Sequence, residues 1–185
     1  MTKPAGMSVS PATEQVLAGH PIMNNPAVSE IVRKSTAAFA NWRATENLHN
    51  RNEYLDSSPS ELRKNKNILA ATATREIGKP IKEALSENEK YPSWIIEFYV
   101  DKGSIFLNNE ALNTYARKSI ITLHRLGMIG SIMPWNFPYV QVLRFVAPLL
   151  VAVNTIVLKP ASITLQCCIE IEKAFRQIRL PEAVF

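Results

Sequence analysis

Two short polar segments contain the side chains best suited to chemistry. The first is residues 134–138 (PWNFP), with the indole of Trp135 and the amide of Asn136; the second begins at Lys159 and includes the hydroxyl of Ser162. Neither segment contains a carboxylate, an imidazole or a thiol. Such a set of groups donates hydrogen bonds and holds anions, but it has no obvious nucleophile or base. The pattern therefore predicts anion binding and charge stabilisation.

Both segments follow apolar runs that are typical of buried strands. The runs are 128–133 (MIGSIM) and 155–158 (TIVL), and helices are predicted from Pro138 onward and over about 164–179. The alternation of strand, helix, strand and helix predicts a parallel sheet with right-handed crossovers. Ligands bind beyond the carboxyl ends of such strands. If the two strands are neighbours, we expect the two polar segments to face one crevice.

The preceding residues are mostly helical in pattern, after a start that contains at most one strand pair. A first helix is predicted from Asn25, acting as cap, and a second over about 52–76 with an interruption at Pro59. A third is predicted over about 81–100, closed by Gly103. The β-branched and aromatic residues between 112 and 123 are interleaved with polar ones, which predicts an exposed ribbon.

Composition places the chain among globular proteins. Of its 185 residues, 46% are apolar and 20% are charged, which excludes disorder throughout and collagen-like sequences. The net charge of +5 is spread along the chain without a long basic run, so it favours anionic ligands over nucleic acid. Six glycines against twelve prolines leave little material for a glycine-rich phosphate loop.

The cysteines and the apolar segments indicate a cytoplasmic protein. Cys167 and Cys168 are adjacent, so we expect no disulfide and a reducing compartment. Their position within a predicted helix favours small buried apolar groups over nucleophiles. The three histidines are far apart, so no metal site is predicted. The most apolar stretch, 145–158, is too short to cross a membrane, and the first residues lack the apolar core of a signal peptide.

Several of these segments together resemble the aldehyde dehydrogenase superfamily. The most specific are PWNFP at 134–138 and NTIVLKP at 154–160. Further likenesses are SPAT at 10–13 to the family's NPAT, AAFANW at 37–42 to AAFxxW, TREIGKP at 74–80 to TLEMGKP, and LPEAVF at 180–185 to LPxGVF. The resemblance covers nearly the whole chain and is nearest to the succinate-semialdehyde dehydrogenase branch.

The resemblance implies an α/β fold that is the N-terminal, incomplete part of the aldehyde dehydrogenase fold. Residues 1–106 would form the helical N-terminal part of the cofactor-binding domain, and 107–127 a β-ribbon of the kind through which the family oligomerises. Residues 128–185 would form the first two βα units of a Rossmann-like sheet. The family's nucleophilic cysteine and general-base glutamate come later in its sequence, so we expect the catalytic domain to be absent from this chain.

For Asn136 the resemblance implies a catalytic role. In the family, the amide of the PWNFP asparagine donates to the oxygen of the thiohemiacetal, where aldehyde oxidation builds up negative charge. By spacing alone, an asparagine that caps the helix beginning at Pro138 is favoured; the resemblance reverses this preference.

The resemblance also implies a cofactor site, lined by Met133, Pro134, Trp135, Lys159 and Ser162. Lys159 matches the family lysine that binds the adenosine ribose of the dinucleotide. Many NAD-preferring relatives have a glutamate at the position of Ser162, and a serine beside a lysine does not repel a 2′-phosphate. The expected cofactor is therefore NADP or NAD. The alternative is a solvated lysine and a serine that caps a helix.

Arg144 lies eight residues after Asn136, two turns into the predicted helix. Relatives that oxidise succinate semialdehyde have an arginine here, and a guanidinium group can bind the free carboxylate of that substrate through two hydrogen bonds. The alternative is a surface arginine on an amphipathic helix.

The function implied is that of an NAD(P)-dependent aldehyde dehydrogenase that converts succinate semialdehyde to succinate when a C-terminal half completes it. No nucleic-acid or membrane partner is expected, and an oligomer is expected as in the parent family. We expect the chain alone to be inactive and to fold poorly, since its last two helices would lack the sheet they should cover.

Other interpretations remain open. Val153 replaces the family glycine of AGN, Arg125 replaces the proline of PLG, and Pro59 lies in a helix that the family keeps continuous. These departures would suit a non-catalytic remnant or a partner-binding fragment. Half of a split enzyme and a stand-alone nucleotide-binding module are the remaining alternatives.

Overall fold

The computed structural model describes residues 6–45 and 48–185. The strands are β1 (Met7–Val9), β2 (Val16–Gly19), β3 (Glu110–Leu112), β4 (Ser119–Ile121), β5 (Met128–Ile132) and β6 (Thr155–Lys159). The helices are α1 (Asn25–Thr45), α2 (Leu48–Lys64), α3 (Lys66–Ile77), α4 (Ile81–Phe106), α5 (Pro138–Val151) and α6 (Leu165–Gln177). The predicted α/β class is confirmed, with a helical first part, a ribbon and a βαβα unit.

Strands β5 and β6 pair in parallel, as predicted, with Ile132 opposite Lys159. Burial of β5 was overestimated, since Ile132 is 79% exposed. The reason is that β5 pairs on one side only within the described residues. On the other edge of the pair, the N–H of Ile156 donates to the carbonyl of Val184 at 2.9 Å. The chain beyond α6 therefore returns to β6 and runs along its outer edge.

The helices before the sheet form one core with α5 and α6. Helix α4 packs along α2, α3 and α5, while α1 packs against the sheet. The largest fully buried side chains come from all of these helices: Trp42, Leu55, Leu62, Leu69, Ile96, Tyr139, Leu143, Leu150 and Ile171. We expected the apolar faces of α5 and α6 to be exposed because the sheet that they should cover is incomplete. This is wrong, because these faces pack against the N-terminal helices.

Helix α4 continues through Gly103 to Phe106, so the predicted stop at this glycine is wrong. A Cβ atom added at position 103 would overlap Cγ1 of Val151 in α5. The two helices can approach closely because residue 103 has no side chain, and this packing requires glycine.

Helix α2 continues through Pro59, where we predicted an interruption, and ends at Lys64. A proline leaves the carbonyl four residues earlier without its helical donor. Here that carbonyl belongs to Leu55, and the hydroxyl of Ser58 donates to it at 2.7 Å. The predicted cap of α1 is also displaced by one residue, because Asn24, not Asn25, accepts the N–H of Ala27 at 3.0 Å.

The turn between α5 and β6 contains a strained residue. Val153 has φ = 63° and is 2% exposed. This left-handed conformation suits glycine and is unfavourable for a β-branched residue. Asn154 closes the turn, with its Oδ1 accepting from the N–H groups of Leu126 at 2.8 Å and Gly127 at 3.1 Å. A glycine at residue 153 would adopt this backbone without the strain that the valine side chain causes.

Two antiparallel pairs complete the fold. Strands β1 and β2 form the predicted first pair. Strands β3 and β4 form the predicted ribbon, with Glu110 opposite Ile121, and most of their residues are exposed. None of the helices in the described ranges is long and apolar enough to cross a membrane.

Candidate functional site

The first polar segment leaves the end of β5 beside the end of β6. The N–H of Met133 donates to the carbonyl of Lys159 at 3.1 Å, which ties the start of the segment to the neighbouring strand. Pro134, Trp135 and Asn136 then project into solvent, and Trp135 is 54% exposed. Parallel pairing thus brings the two predicted polar segments together at the carboxyl ends of the two strands, as the alternation of elements indicated.

Asn136 is exposed, and its side chain does not cap α5. Phe137 occupies the cap position, Pro138 is the first helical residue, and no side chain of this loop bonds the helix terminus. Among the residues that the structure describes, none hydrogen-bonds to the Asn136 amide. The helix-capping alternative is therefore not what the structure shows, and the amide is available to a ligand.

A buried acid from the helical part of the chain accepts a hydrogen bond from the first turn of α5. The N–H of Val140 donates to Oε1 of Glu87 at 3.5 Å. The other carboxylate oxygen of Glu87 accepts from the ammonium of Lys79, and this ammonium lies 4.2 Å from the centre of the Phe137 ring. A charged pair thus lies directly beneath the end of the Asn136 loop.

A second buried acid accepts hydrogen bonds from the first turn of α6. Glu76 accepts the N–H of Gln166 at 2.7 Å, the N–H of Cys167 at 2.8 Å and the hydroxyl of Ser8 at 2.7 Å. A carboxylate is favoured there by the unpaired N–H groups and by the positive end of the helix dipole. Both acids were missed from the sequence. The available signal was that Glu76 continues the buried stripe of Leu69 and Ala73 on α3.

Lys159 and Ser162 both lie exposed at the carboxyl end of β6. The residue at the cap position of α6 is Thr164, so Ser162 does not cap this helix. Residues 111–169 contain no aspartate or glutamate, so no carboxylate flanks Lys159 and Ser162 in the sequence. An exposed ammonium and a hydroxyl can bind a phosphate or a 2′-phosphoribose group.

Arg144 lies on the exposed side of α5, opposite the buried side chains of Val142 and Leu143. It forms no ion pair with any residue in the described part of the chain. A guanidinium without a protein partner is free to bind an external carboxylate. The structure places Arg144 on the same helix that follows the Asn136 loop, two turns further on.

The arrangement as a whole matches the aldehyde dehydrogenase family, whose model aligns with residues 3–185. This chain belongs to the aldehyde dehydrogenase family. Among curated relatives, it is 33% identical over 178 residues to the probable succinate-semialdehyde dehydrogenase [NADP(+)] of Synechocystis, covering 96% of this chain and 39% of that protein. It is 32% identical over 179 residues to the succinate semialdehyde dehydrogenase [NAD(P)+] of Escherichia coli, covering 97% and 38%.

Solved structures agree with this assignment. A succinic semialdehyde dehydrogenase from Streptococcus pyogenes, solved in complex with NADP+, superposes with a TM-score of 0.92 at 27% identity. The match covers 97% of this chain and 39% of that one. The chain thus has the N-terminal part of the aldehyde dehydrogenase fold, and it spans about two fifths of the length of the relatives it matches.

The cysteines of this aldehyde dehydrogenase chain are unsuited to nucleophilic attack. Burial raises the pKa of the Cys167 thiol, and the neighbouring Glu76 carboxylate raises it further. The same two causes raise the pKa of Cys168 to about 12. Because the thiolate is the nucleophile, both thiols stay protonated and inert near neutral pH. This agrees with their interpretation as small buried groups.

Proposed function

We propose that this chain supplies the oxyanion donor, the carboxylate clamp and part of the dinucleotide site of a succinate-semialdehyde dehydrogenase. The observation that supports the proposal most directly is the exposed amide of Asn136, uncommitted to helix capping, in the loop after β5, whose last residue Ile132 pairs with Lys159. The nucleophile and the base would come from chain outside these residues.

In the proposed reaction, Asn136 stabilises negative charge. A thiolate adds to the aldehyde carbon, the carbonyl oxygen takes the negative charge, and the Asn136 N–H group donates to it. An amide held in a loop that is tied at Met133 and at α5 needs little reorganisation when that charge develops. Removing one such donor typically costs about 100-fold to 1,000-fold in kcat.

The dinucleotide, NADP or NAD, would accept the hydride, and this chain would bind its adenosine side. We assign that binding to Lys159 and Ser162, with Met133, Pro134 and Trp135 lining the adjacent wall. The lack of carboxylates between residues 111 and 169 supports tolerance of a 2′-phosphate. NADP in the names of the Synechocystis and Streptococcus pyogenes relatives points the same way.

Substrate class is assigned to Arg144. Succinate semialdehyde carries a free carboxylate at the end opposite its aldehyde, and an exposed guanidinium without a protein partner matches it. Arg144 lies six residues after Pro138, the first residue of α5, which corresponds to about 9 Å along the helix axis.

We also propose the division of the chain into a helical part (1–106), a ribbon (107–127) and a Rossmann-like part (128–185). The ribbon exposes the apolar side chains of Leu112, Ile120 and Ile121. Exposed apolar side chains on a short antiparallel pair suit contact between subunits. We therefore propose the ribbon as the oligomerisation element.

The test is to join the chain to the remaining C-terminal part of the Escherichia coli relative and to follow nicotinamide absorbance with succinate semialdehyde. The Asn136→Ala variant is expected to lose about 100-fold in kcat with a smaller change in KM. Asn109, exposed in the loop before β3, offers the matched control Asn109→Ala, which should retain full activity. A folded fusion whose activity is unaffected by Asn136→Ala would contradict the proposal.

A further inference from the structure

We propose that the buried ion pair Lys79–Glu87 is a positioning device for the Asn136 loop. Its catalytic consequence depends on the proposed function, whereas its effect on the loop does not. Lys79 lies in the short connection between α3 and α4, and Glu87 lies in the second turn of α4. Their side chains are 9% and 3% exposed, so the pair is enclosed by protein.

The pair contacts the last residue of the loop and a residue in the first turn of the helix that follows it. The Lys79 ammonium lies 4.2 Å from the centre of the ring of Phe137, the residue directly after Asn136. Glu87 accepts the N–H of Val140, in the first turn of the helix that the loop enters. One charge therefore holds the ring that ends the loop, and the other holds the helix that follows it.

The rest of the loop has few constraints of its own. Its start is fixed by the bond from Met133 to Lys159, and its cap position supplies no side-chain bond. Between these ends, Pro134, Trp135 and Asn136 are exposed. The direction of the Asn136 amide consequently depends on the two ends of the loop, and the Lys79–Glu87 pair fixes the second end.

General electrostatics argues that such a pair serves geometry more than stability. Taking two charges out of water costs about as much as their attraction returns, so well-packed apolar replacements of similar size often leave stability unchanged. What apolar replacements cannot supply is a hydrogen bond to Val140 and a cation at the Phe137 ring. Replacing the pair should therefore free the loop while leaving the core folded.

The experiment uses 19F NMR of the 185-residue chain with fluorotryptophan at its three tryptophans. Trp135 reports on the loop, the buried Trp42 reports on the core, and Trp94 reports on the surface of α4. Each resonance is assigned by replacing that tryptophan with phenylalanine. In K79M, in E87Q and in the combined K79M and E87L variant, the Trp135 line should shift or broaden while the Trp42 line stays in place. In K79R, which keeps a cation at this position, the Trp135 line should stay near its original position.

Lys66 and Glu89 form the matched control pair. They also join α3 to α4, at 3.1 Å, but their side chains are 38% and 58% exposed. K66M and E89Q should leave the Trp135 and Trp42 lines unchanged. The combined K79M and E87L variant decides the outcome where a single variant does not fold. An unchanged Trp135 line in that variant would overturn the proposal. Loss of the folded Trp42 line there would also overturn it, because the pair would then be a stability element.

In the completed enzyme, the combined variant should lower kcat about 10-fold or more with little change in KM, as expected for a misplaced catalytic group. Absence of activity in the completed enzyme without substitutions would refute the proposed function, and the NMR result on the loop would still stand.

Discussion

The polar residues around the candidate site fall into two groups. Those of the first group form hydrogen bonds within the fold, and those of the second do not. Glu76 and Glu87 are buried and accept hydrogen bonds from helix N-termini. Asn136, Arg144 and Lys159 are exposed and bond to nothing in the described ranges through their side chains. An exposed polar residue has no structural task to explain it, so the second group is where ligand binding is to be sought.

Substrate choice is expected to depend on Arg144. In the completed enzyme, Arg144→Leu should lower kcat/KM for succinate semialdehyde by roughly 10-fold to 100-fold, since a charge-assisted contact is worth about 1.5–3 kcal/mol. An uncharged aldehyde of similar length should be oxidised at nearly the original rate. Arg43→Leu, on the exposed side of α1, is the control. Equal losses for both aldehydes would show that Arg144 does not contact the carboxylate.

Strain at Val153 gives a second prediction at this scale. At an ordinary helical position glycine is less stable than alanine by about 1 kcal/mol. At φ = 63° the order should reverse, so that Val153→Gly is more stable than Val153→Ala by about 1 kcal/mol. Urea unfolding of both variants measures the difference. Val146, buried within α5, is the control site, where glycine should be the less stable replacement.

At the scale of elements, the periodic segments were predictable and the interruptions were not. Helices α1, α5 and α6, the parallel pair and the ribbon follow from apolar spacing and strand-forming residues, whereas the break between α2 and α3 lies at Asn65 and not at Pro59. The errors at Pro59 and Gly103 have one cause. A proline is tolerated where a neighbouring serine bonds the freed carbonyl, and a glycine is required where another helix approaches. Both depend on three-dimensional neighbours that local sequence does not reveal.

The candidate site could be predicted only in part, because some of its residues depend on neighbours that are distant in sequence. Its exposed residues lie in short segments after strands, where topology alone predicts ligand binding. The acids behind them come from residues 76 and 87, far away in sequence, and their role exists only once α3 and α4 pack against α5 and α6. Local spacing also left helix capping open for Asn136 and Ser162, and only the cap geometry of α5 and α6 excludes it.

The capping of α6 by Glu76 can be tested directly. Glu76→Gln keeps the shape but removes the charge and turns one acceptor into a donor that faces other donors. We expect the free energy of unfolding to fall by about 2–3 kcal/mol. Hydrogen exchange at the Gln166 and Cys167 amides should accelerate locally. Glu97→Gln on the exposed side of α4 is the control. An unchanged stability would mean that water replaces the lost acceptor.

For the whole molecule, we expect no aldehyde oxidation by these 185 residues alone. The site has no nucleophile, and the thiols of the buried Cys167 and the half-buried Cys168 have raised pKa values. The purified chain should show no nicotinamide reduction with succinate semialdehyde and either dinucleotide. Because α5 and α6 are covered by the N-terminal helices, its thermal unfolding should nevertheless be cooperative. Turnover that persists after replacement of Cys167 and Cys168 by serine would contradict the first expectation, and a broad, non-cooperative melt the second.

The two buried acids also limit how this family can be recombined. A chimera that takes residues up to the ribbon from one parent and the following residues from another looks modular, since it cuts at an exposed hairpin. In this chain, however, such a crossover separates α5 and α6 from the carboxylates of Glu87 and Glu76 that hold their first turns. Shuffled libraries cut there should therefore yield folded progeny mainly when the parent of the first half has an acid at position 76, and a correctly placed Asn136 loop only when it also has one at position 87.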